Sequence, residues 1–204
     1  MKAVKKHRVQ GGGNRYRYVV IGGSAGGIEA LRVILMALPV DFALPILVSQ
    51  HLHASDEGAF AAHVARLTRL IVVEAGDKEP IKRGYLYIGP ANYHMLMERD
   101  GTIGLSIDEQ VNCSRPSIDV FFESAALACG DTVVAVVLSG ASADGAKGVC
   151  AIKNAGGLTI AQDPASAEVP VMPQAAIDTE AVDEVLSTEQ IGRLLATLGD
   201  RAKL

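Results

Sequence analysis

Residues 18–27 read Tyr-Val-Val-Ile-Gly-Gly-Ser-Ala-Gly-Gly, a short apolar run that leads directly into a glycine-rich turn. Four consecutive apolar residues, Tyr18–Ile21, are typical of a buried strand. Apolar residues then recur at the spacing of one helix face: Ile28, Leu31, Leu35 and Leu38. A strand, a tight turn and a helix in this order form the repeating unit of a parallel sheet covered by helices.

The rest of the chain continues this alternation of apolar runs and helical patterns. The further predicted strands are 44–49, 70–74, 85–88, 133–138 and 158–161, and the further predicted helices begin near residues 60, 118, 146 and 187. Asp100-Gly101 lies between two strand-like runs, 95–99 and 102–106, which is a hairpin signal. The sequence therefore predicts an α/β fold with a doubly wound, mostly parallel sheet, an inserted antiparallel hairpin and a Rossmann-like three-layer arrangement.

The composition is that of one folded domain. Of 204 residues, 49% are hydrophobic and 21% are charged, which excludes a disordered chain. The net charge of −4 argues against a general nucleic-acid binder, and the apolar runs are too short to span a membrane. Cys113, Cys129 and Cys150 form no CxxC pair, so we expect a reducing, cytoplasmic location. We expect a flexible basic tail over 1–15 and one domain over 16–204.

Three reactive side chains follow predicted strands directly: Ser24, His51 and Asp144. Ligands of open parallel sheets bind beyond the carboxyl ends of the strands, so these side chains are expected at one edge. A hydroxyl, an imidazole and a carboxylate are the nucleophile, the general base and the orienting group of a catalytic triad. Asp163 also follows a strand and is a rival for the third position, while Asp144 alone could be a helix N-cap.

A nucleotide-binding function is the first alternative. A glycine-rich turn after the first strand often cradles phosphate, and Ser24 would then be a turn residue. Residues 22–27 do not fit GxGxxG, because Ser24 occupies the second glycine position. They do not fit a P-loop either, since Ile28 and Glu29 stand where lysine and a hydroxyl residue belong.

A metal site is the second alternative. The neighbouring ligand-type residues are His51, His53, Asp56 and His63. The stretch lacks a further histidine beside Asp56, and His63 falls on the following predicted helix, so the spacing of a metallo-hydrolase loop is not met. We therefore expect no metal site.

Six segments together resemble the catalytic domain of the bacterial chemotaxis methylesterases, the CheB-type protein-glutamate methylesterases. They occur in the order of that family and cover nearly all of residues 16–200. The segments are Val20–Gly27, Val48–His51, Tyr87–Met95, Arg115–Ala126, Val137–Gly148, and Ala161–Pro164 followed by Met172–Ile177.

The resemblance implies a Ser-His-Asp triad, with the nucleophile at Ser24, the base at His51 and the acid at Asp144 rather than Asp163. It also implies hydrolysis of glutamate γ-methyl esters on the cytoplasmic helical bundle of chemoreceptors, with release of methanol. Many family members deamidate receptor glutamines as well. The implied partner is the methylated receptor bundle, and the resemblance implies neither a metal nor an organic cofactor. From the charge and the short apolar runs we expect no nucleic-acid partner and no direct insertion into a membrane.

The chain departs from the family pattern at a few positions. Ala25 stands where the family usually has threonine, and Ala141 where it usually has methionine. These changes leave open a second function, a weak or inactive receptor-binding module of the same fold. Only residues 1–15 precede the first predicted strand, so we expect no receiver domain; the chain is either a free-standing catalytic protein or a fragment of a longer one.

Overall fold

The computed structural model describes residues 15–201, without the side chain of Arg201. Seven strands form one sheet in the order β10-β9-β8-β1-β2-β5-β3, and every pairing in it is parallel. The strands of this sheet are β1 (Tyr18–Gly23), β2 (Ile46–Gln50), β3 (Ile71–Glu74), β5 (Tyr85–Ile88), β8 (Val133–Val137), β9 (Leu158–Gln162) and β10 (Glu184–Leu186). The predicted parallel sheet is confirmed.

Helices cover both faces of this sheet. They are α1 (Gly27–Met36), α2 (Ala59–Val64), α3 (Ile118–Cys129), α4 (Ala146–Asn154), α5 (Val171–Asp178) and α6 (Thr188–Arg201). Alternate residues of β1 enter different cores: Val19 and Ile21 pack with α1, α2 and α6, whereas Val20 packs with α3, α4 and α5. A strand buried on both faces reads as a continuous apolar run, which is why β1 and β8 are visible in the sequence.

The predicted hairpin is present but lies outside the parallel sheet. Strands β6 (His94–Met97) and β7 (Thr102–Ser106) pair antiparallel, and β4 (Glu79–Pro80) joins them in a separate three-stranded sheet. Gly101, in the turn, has a φ of 82°, which a glycine adopts without strain. Met95, Met97 and Ile103 bury this small sheet against the same core as α3.

Some local expectations were wrong or incomplete. Helix α5 and strand β10 carry weak periodic signals and were not predicted. Proline suits the first turn of a helix, but Pro116 precedes the N-cap residue of α3, Ser117, whose hydroxyl accepts a hydrogen bond from Val120 N. The predicted tail lies outside the described residues except for Arg15. Within residues 15–201, every helix is too short or too polar to cross a membrane.

Candidate active site

The sheet brings three turns to one edge. Gly23 and Gln50 are register partners in β1 and β2, so Ser24 and His51 follow neighbouring strands. The backbone joins the turns directly: His51 N donates to Gly23 O at 3.1 Å, and Ser24 N donates to Ser139 O at 2.9 Å. The turn after β8 therefore lies beside the turn that carries Ser24.

His51 and Asp144 are hydrogen-bonded across this edge. The distance from His51 Nε2 to Asp144 Oδ2 is 2.8 Å. A carboxylate can only accept, so Nε2 carries the proton. In the neutral ring, Nδ1 is then the nitrogen with a free lone pair. His51 is half-buried, whereas Asp144 is fully buried.

Asp144 lies in a cage of hydrogen-bond donors. Besides His51, its oxygens accept from four groups: Asn112 Nδ2 at 2.7 Å, Ser117 Oγ at 2.9 Å, Ile118 N at 2.6 Å and Asp119 N at 3.1 Å. The last two are free amides at the start of α3, where the helix dipole favours a negative charge. Asp144 therefore caps α3; the N-cap of α4, the helix that follows Asp144, is Gly145.

The cage fixes the charge of Asp144. Burial alone raises the pKa of this carboxyl, because it penalises the ionised form. Hydrogen bonds from His51, Ile118 N, Asn112 and Asp119 N outweigh burial and lower the pKa to about 2. The side chain is thus an anion at any pH where a histidine can act as a base.

Sequence reasoning did not find the residues that hold the cage in place. Asn112, with a φ of 53°, bridges two carboxylates by donating to Asp144 and to Asp119 Oδ2 at 2.8 Å. His94 is buried; its Nδ1 accepts from Ser117 N at 3.1 Å, and its Nε2 lies 3.0 Å from Glu109 O. The left-handed tolerance of asparagine was the only available signal for Asn112.

Ser24 is partly exposed at the start of α1. Its hydroxyl makes no hydrogen bond to His51 or to any other group in residues 15–201, so it is open to an incoming ligand. A Cβ added at Gly140 would lie 2.9 Å from Ser24 Cβ, which places the turn after β8 directly against the hydroxyl-bearing residue. Catalytic hydrogen bonds are often long before substrate binds.

Two backbone amides, in the Ser24 turn and in the turn after β8, have no hydrogen-bond partner within residues 15–201. Ser24 N and Gly140 N are engaged, the first by Ser139 O and the second by Val169 O at 3.0 Å. By contrast, the N–H groups of Ala25 and Ala141 donate to nothing within the described part of the chain, and both residues are exposed. Such free donors can stabilise negative charge on an oxygen bound beside Ser24.

A shallow depression opens beside His51. Its volume is about 240 Å³, and its lining includes His51, His53, Asn92, Gln110, Ser114 and Arg115. Arg115 contributes a guanidinium whose Nη1 is held by two backbone carbonyls, those of Ile107 and Asp108. The depression is small and has both polar and apolar lining, so it suits an extended side chain better than a bulky ligand.

The rival residues serve local structure. Asp163 accepts from Ala165 N at 3.0 Å and caps a short 3₁₀ turn. His53 Nδ1 lies 2.7 Å from Ser55 Oγ, and Asp56 accepts from the amides at the start of α2. Across residues 15–201, no group of three or more histidine, cysteine, aspartate or glutamate side chains could hold a metal ion.

Comparison with known proteins agrees with this architecture. The family model described as CheB methylesterase matches residues 19–195. The catalytic domain of the Thermotoga maritima CheB methylesterase, solved by crystallography, superposes with a TM-score of 0.86 at 33% identity, covering 90% of this chain and 98% of that one.

Two relatives show how much of the chain the sequence similarity covers. A Leptospira interrogans protein, provisionally named protein-glutamate methylesterase/protein-glutamine glutaminase, is 46% identical over 183 residues, which cover 90% of this chain and 95% of that protein. A Bordetella parapertussis protein-glutamate methylesterase/protein-glutamine glutaminase is 43% identical over 190 residues. The matched region is 91% of this chain but 54% of the Bordetella protein.

Proposed function

Because this chain belongs to the CheB methylesterase family, we propose that Ser24, His51 and Asp144 are the catalytic triad of its ester hydrolysis. The chain is a carboxylic ester hydrolase, and its substrate is a glutamate γ-methyl ester. The observation that carries the proposal is the His51–Asp144 hydrogen bond of 2.8 Å, at the sheet edge where Ser24 follows β1. Only one ring nitrogen, Nδ1, is then available to the nucleophile.

The first half of the reaction acylates Ser24. His51 Nδ1 removes the hydroxyl proton as Ser24 Oγ forms a bond to the ester carbonyl carbon. Asp144 stabilises the imidazolium through Nε2–H, and its low pKa keeps it from taking that proton. The tetrahedral oxyanion accepts hydrogen bonds from Ala25 N and Ala141 N. Collapse breaks the bond to methoxide, His51 returns the proton, and methanol leaves.

The second half regenerates the serine. Water, deprotonated by His51, attacks the glutamyl–serine ester, and the bond to Ser24 Oγ breaks with return of the proton. The product is a free glutamate side chain. An unmodified glutamine would form the same acyl-enzyme with ammonia as the leaving group, which fits the glutaminase activity in the names of the relatives.

The substrate-bearing partner is the cytoplasmic helical bundle of a methylated chemoreceptor. Membership of the family supports this proposal, and with such a substrate we expect the enzyme in the cytoplasm. The exposed turns of Ala25 and Ala141 and the depression beside His51 lie on the same edge, so a side chain projecting from a helix can reach Ser24.

The alternative of a binding module without catalysis has less support. Ala25 and Ala141 stand where the family usually has threonine and methionine, but both alanines retain the backbone N–H that can stabilise an oxyanion. A non-catalytic binding surface does not require a buried carboxylate that accepts from four donors and from one imidazole nitrogen.

Release of methanol from methylated receptor fragments tests the function. Wild type should release methanol, Ser24→Ala should not, and the fold should persist because residue 24 is partly exposed. Ser106→Ala, a hydroxyl deletion in the small sheet, serves as the matched control and should match wild type. Equal release by wild type and Ser24→Ala would overturn the role of Ser24.

A further inference from the structure

Two buried glutamines end the strands on either side of β8 and β1, the two strands that lead into the turn after β8 and the Ser24 turn. Gln50 is the last residue of β2, and Gln162 is the last residue of β9. In the sheet, β8 and β1 lie between β9 and β2, so each glutamine ends a strand beside one of the reactive turns. Their exposures are only 7% and 2%, although glutamine is mostly an exposed residue.

Gln50 holds the turn that carries Ser24. Its Nε2 donates to Ser24 O at 2.8 Å, and the assignment of this nitrogen is forced because a carbonyl only accepts. A Cβ added at Gly23 or Gly27 would lie 2.9 or 2.8 Å from Gln50 Oε1. These two glycines therefore leave the space in which the amide fits.

Gln162 holds the turn after β8 with the opposite end of its amide. Its Oε1 accepts from Ser139 N at 2.8 Å, and its Nε2 donates to Ser166 O at 3.1 Å. A backbone N–H only donates, so the oxygen must face Ser139. Gly140 and Ala141 follow directly, and their position depends on this anchor.

Ser139 couples the two anchored turns. Its carbonyl accepts from Ser24 N, and its hydroxyl donates to Ala25 O at 2.7 Å. The same hydroxyl accepts from Val169 N at 2.9 Å. A shift of one turn is thus transmitted to the other, and the two alanine N–H groups keep their places relative to Ser24 Oγ.

We propose that Gln50 and Gln162 are paired positioning residues that fix the nucleophile turn and the oxyanion turn, one as a donor and the other as an acceptor. The proposal rests on the proposed function and goes beyond it, because neither glutamine touches the reacting atoms. Each glutamine should therefore affect kcat only through the turn that it holds in place.

Two substitutions at each position separate donor from acceptor. Methionine keeps the volume of glutamine and removes both hydrogen bonds, whereas glutamate keeps the acceptor and replaces the donor. Gln50→Met leaves Ser24 O with a partner, since Gly27 N also donates to it at 2.8 Å, so this variant should fold. Gln190→Met is the matched control, because Gln190 accepts from Ser187 N in the exposed capping box of α6 and makes no hydrogen bond to the Ser24 turn or to the turn after β8 within residues 15–201.

The measurements are methanol release, the rate of Ser24 modification by a fluorophosphonate, and the folded fraction by circular dichroism. We expect Gln50→Met and Gln162→Met to lower kcat about 100-fold with KM changed less than about twofold, as for a misplaced catalytic group. Gln162→Glu keeps an oxygen that can accept from Ser139 N, so it should retain more activity than Gln162→Met. Gln50→Glu puts a carboxylate oxygen against the carbonyl of Ser24, so it should retain less activity than Gln50→Met. Gln190→Met should change only the stability.

Each outcome decides a different claim. An unchanged kcat in folded Gln50 and Gln162 variants, or losses that only follow the folded fraction, would overturn the positioning role. If wild type releases no methanol but its Ser24 is modified rapidly, and more slowly in the glutamine variants, the methylesterase function fails and the positioning role stands. If wild-type Ser24 is not modified at all, both fail.

Discussion

The sheet edge that carries Ser24, His51 and Asp144, here called the active edge, and the small sheet each contain a carboxylate with a lowered pKa. The two carboxylates have different surroundings. Asp144 is buried and accepts from five donors, including two backbone amides of α3. Glu98 lies in the turn of the small sheet, where Lys78 Nζ at 2.6 Å and the Thr102 hydroxyl lower its pKa. Water can replace the partners of Glu98 but not those of Asp144, so only the loss of the Asp144 carboxylate should be costly.

The same amide substitution at both sites gives the largest expected contrast. Asp144→Asn removes the anion from the cage and turns an NH₂ group toward donors. We expect kcat to fall about 10⁴-fold, because His51 loses the partner that fixes its tautomer. Steady-state methanol release measures this, with Glu98→Gln as the control. A kcat within tenfold of wild type would contradict the assignment of Asp144.

The free energy of unfolding should also distinguish Asp144→Asn from wild type. Asp144→Asn should lower the free energy of unfolding by about 3 kcal/mol, since it unpairs several buried donors. Denaturant titration at neutral pH measures the loss. A midpoint equal to that of wild type would mean that the cage relaxes around the amide.

The stability of the fold at low pH should also depend on the Asp144 carboxylate. The pKa of Asp144 is about 2 in the folded state, against an ordinary value of 3.8. Its contribution to stability is therefore complete above about pH 4 and is lost as the pH falls toward 2, a change of about 2 kcal/mol. Unfolding measured along this pH range should show the loss in wild type and a smaller one in Asp144→Asn; parallel curves would refute the link.

Asn112 offers an intermediate test, because it supplies one donor to the cage from an exposed loop. Asn112→Ala should destabilise the fold by about 1 to 2 kcal/mol and raise the pKa of Asp144. Chemical denaturation measures the loss of stability, and the pH range over which stability falls in acid reports the pKa of Asp144. If that pH range is the same as in wild type, the remaining donors are enough to keep the pKa low.

The smallest effect is expected in the small sheet. Glu98→Gln breaks the pair with Lys78, whose charge stays solvated. We expect no resolvable change in melting temperature and normal methanol release. A clear loss in either would mean that the small sheet supports the active edge more strongly than its surface contacts suggest.

The regions also differ in how far the sequence could predict them. Strands β1 and β8 are buried on both faces, so continuous apolar runs revealed them and placed Ser24 and Asp144 at their ends. The partner of a side chain across the fold leaves no such pattern. Asn112 and Gln50 were missed for this reason, since their roles depend on which turns the sheet brings together.

Weak local signals account for the other differences. Helix α5 begins at Val171 after Pro170 and packs Met172 against Gly140, a long-range contact that no local periodicity encodes. The hairpin around Gly101 was visible from its turn, but its separation from the main sheet depends on burial against α3.

Mass spectrometry after fluorophosphonate treatment tests the central claim most directly. The probe forms a covalent bond to a serine activated by its histidine, whatever the physiological ester is. We predict a single adduct on Ser24, absent in Ser24→Ala and formed at least about 100-fold more slowly in Asp144→Asn. Modification of a different residue, or equal rates in wild type and Asp144→Asn, would contradict the proposed triad.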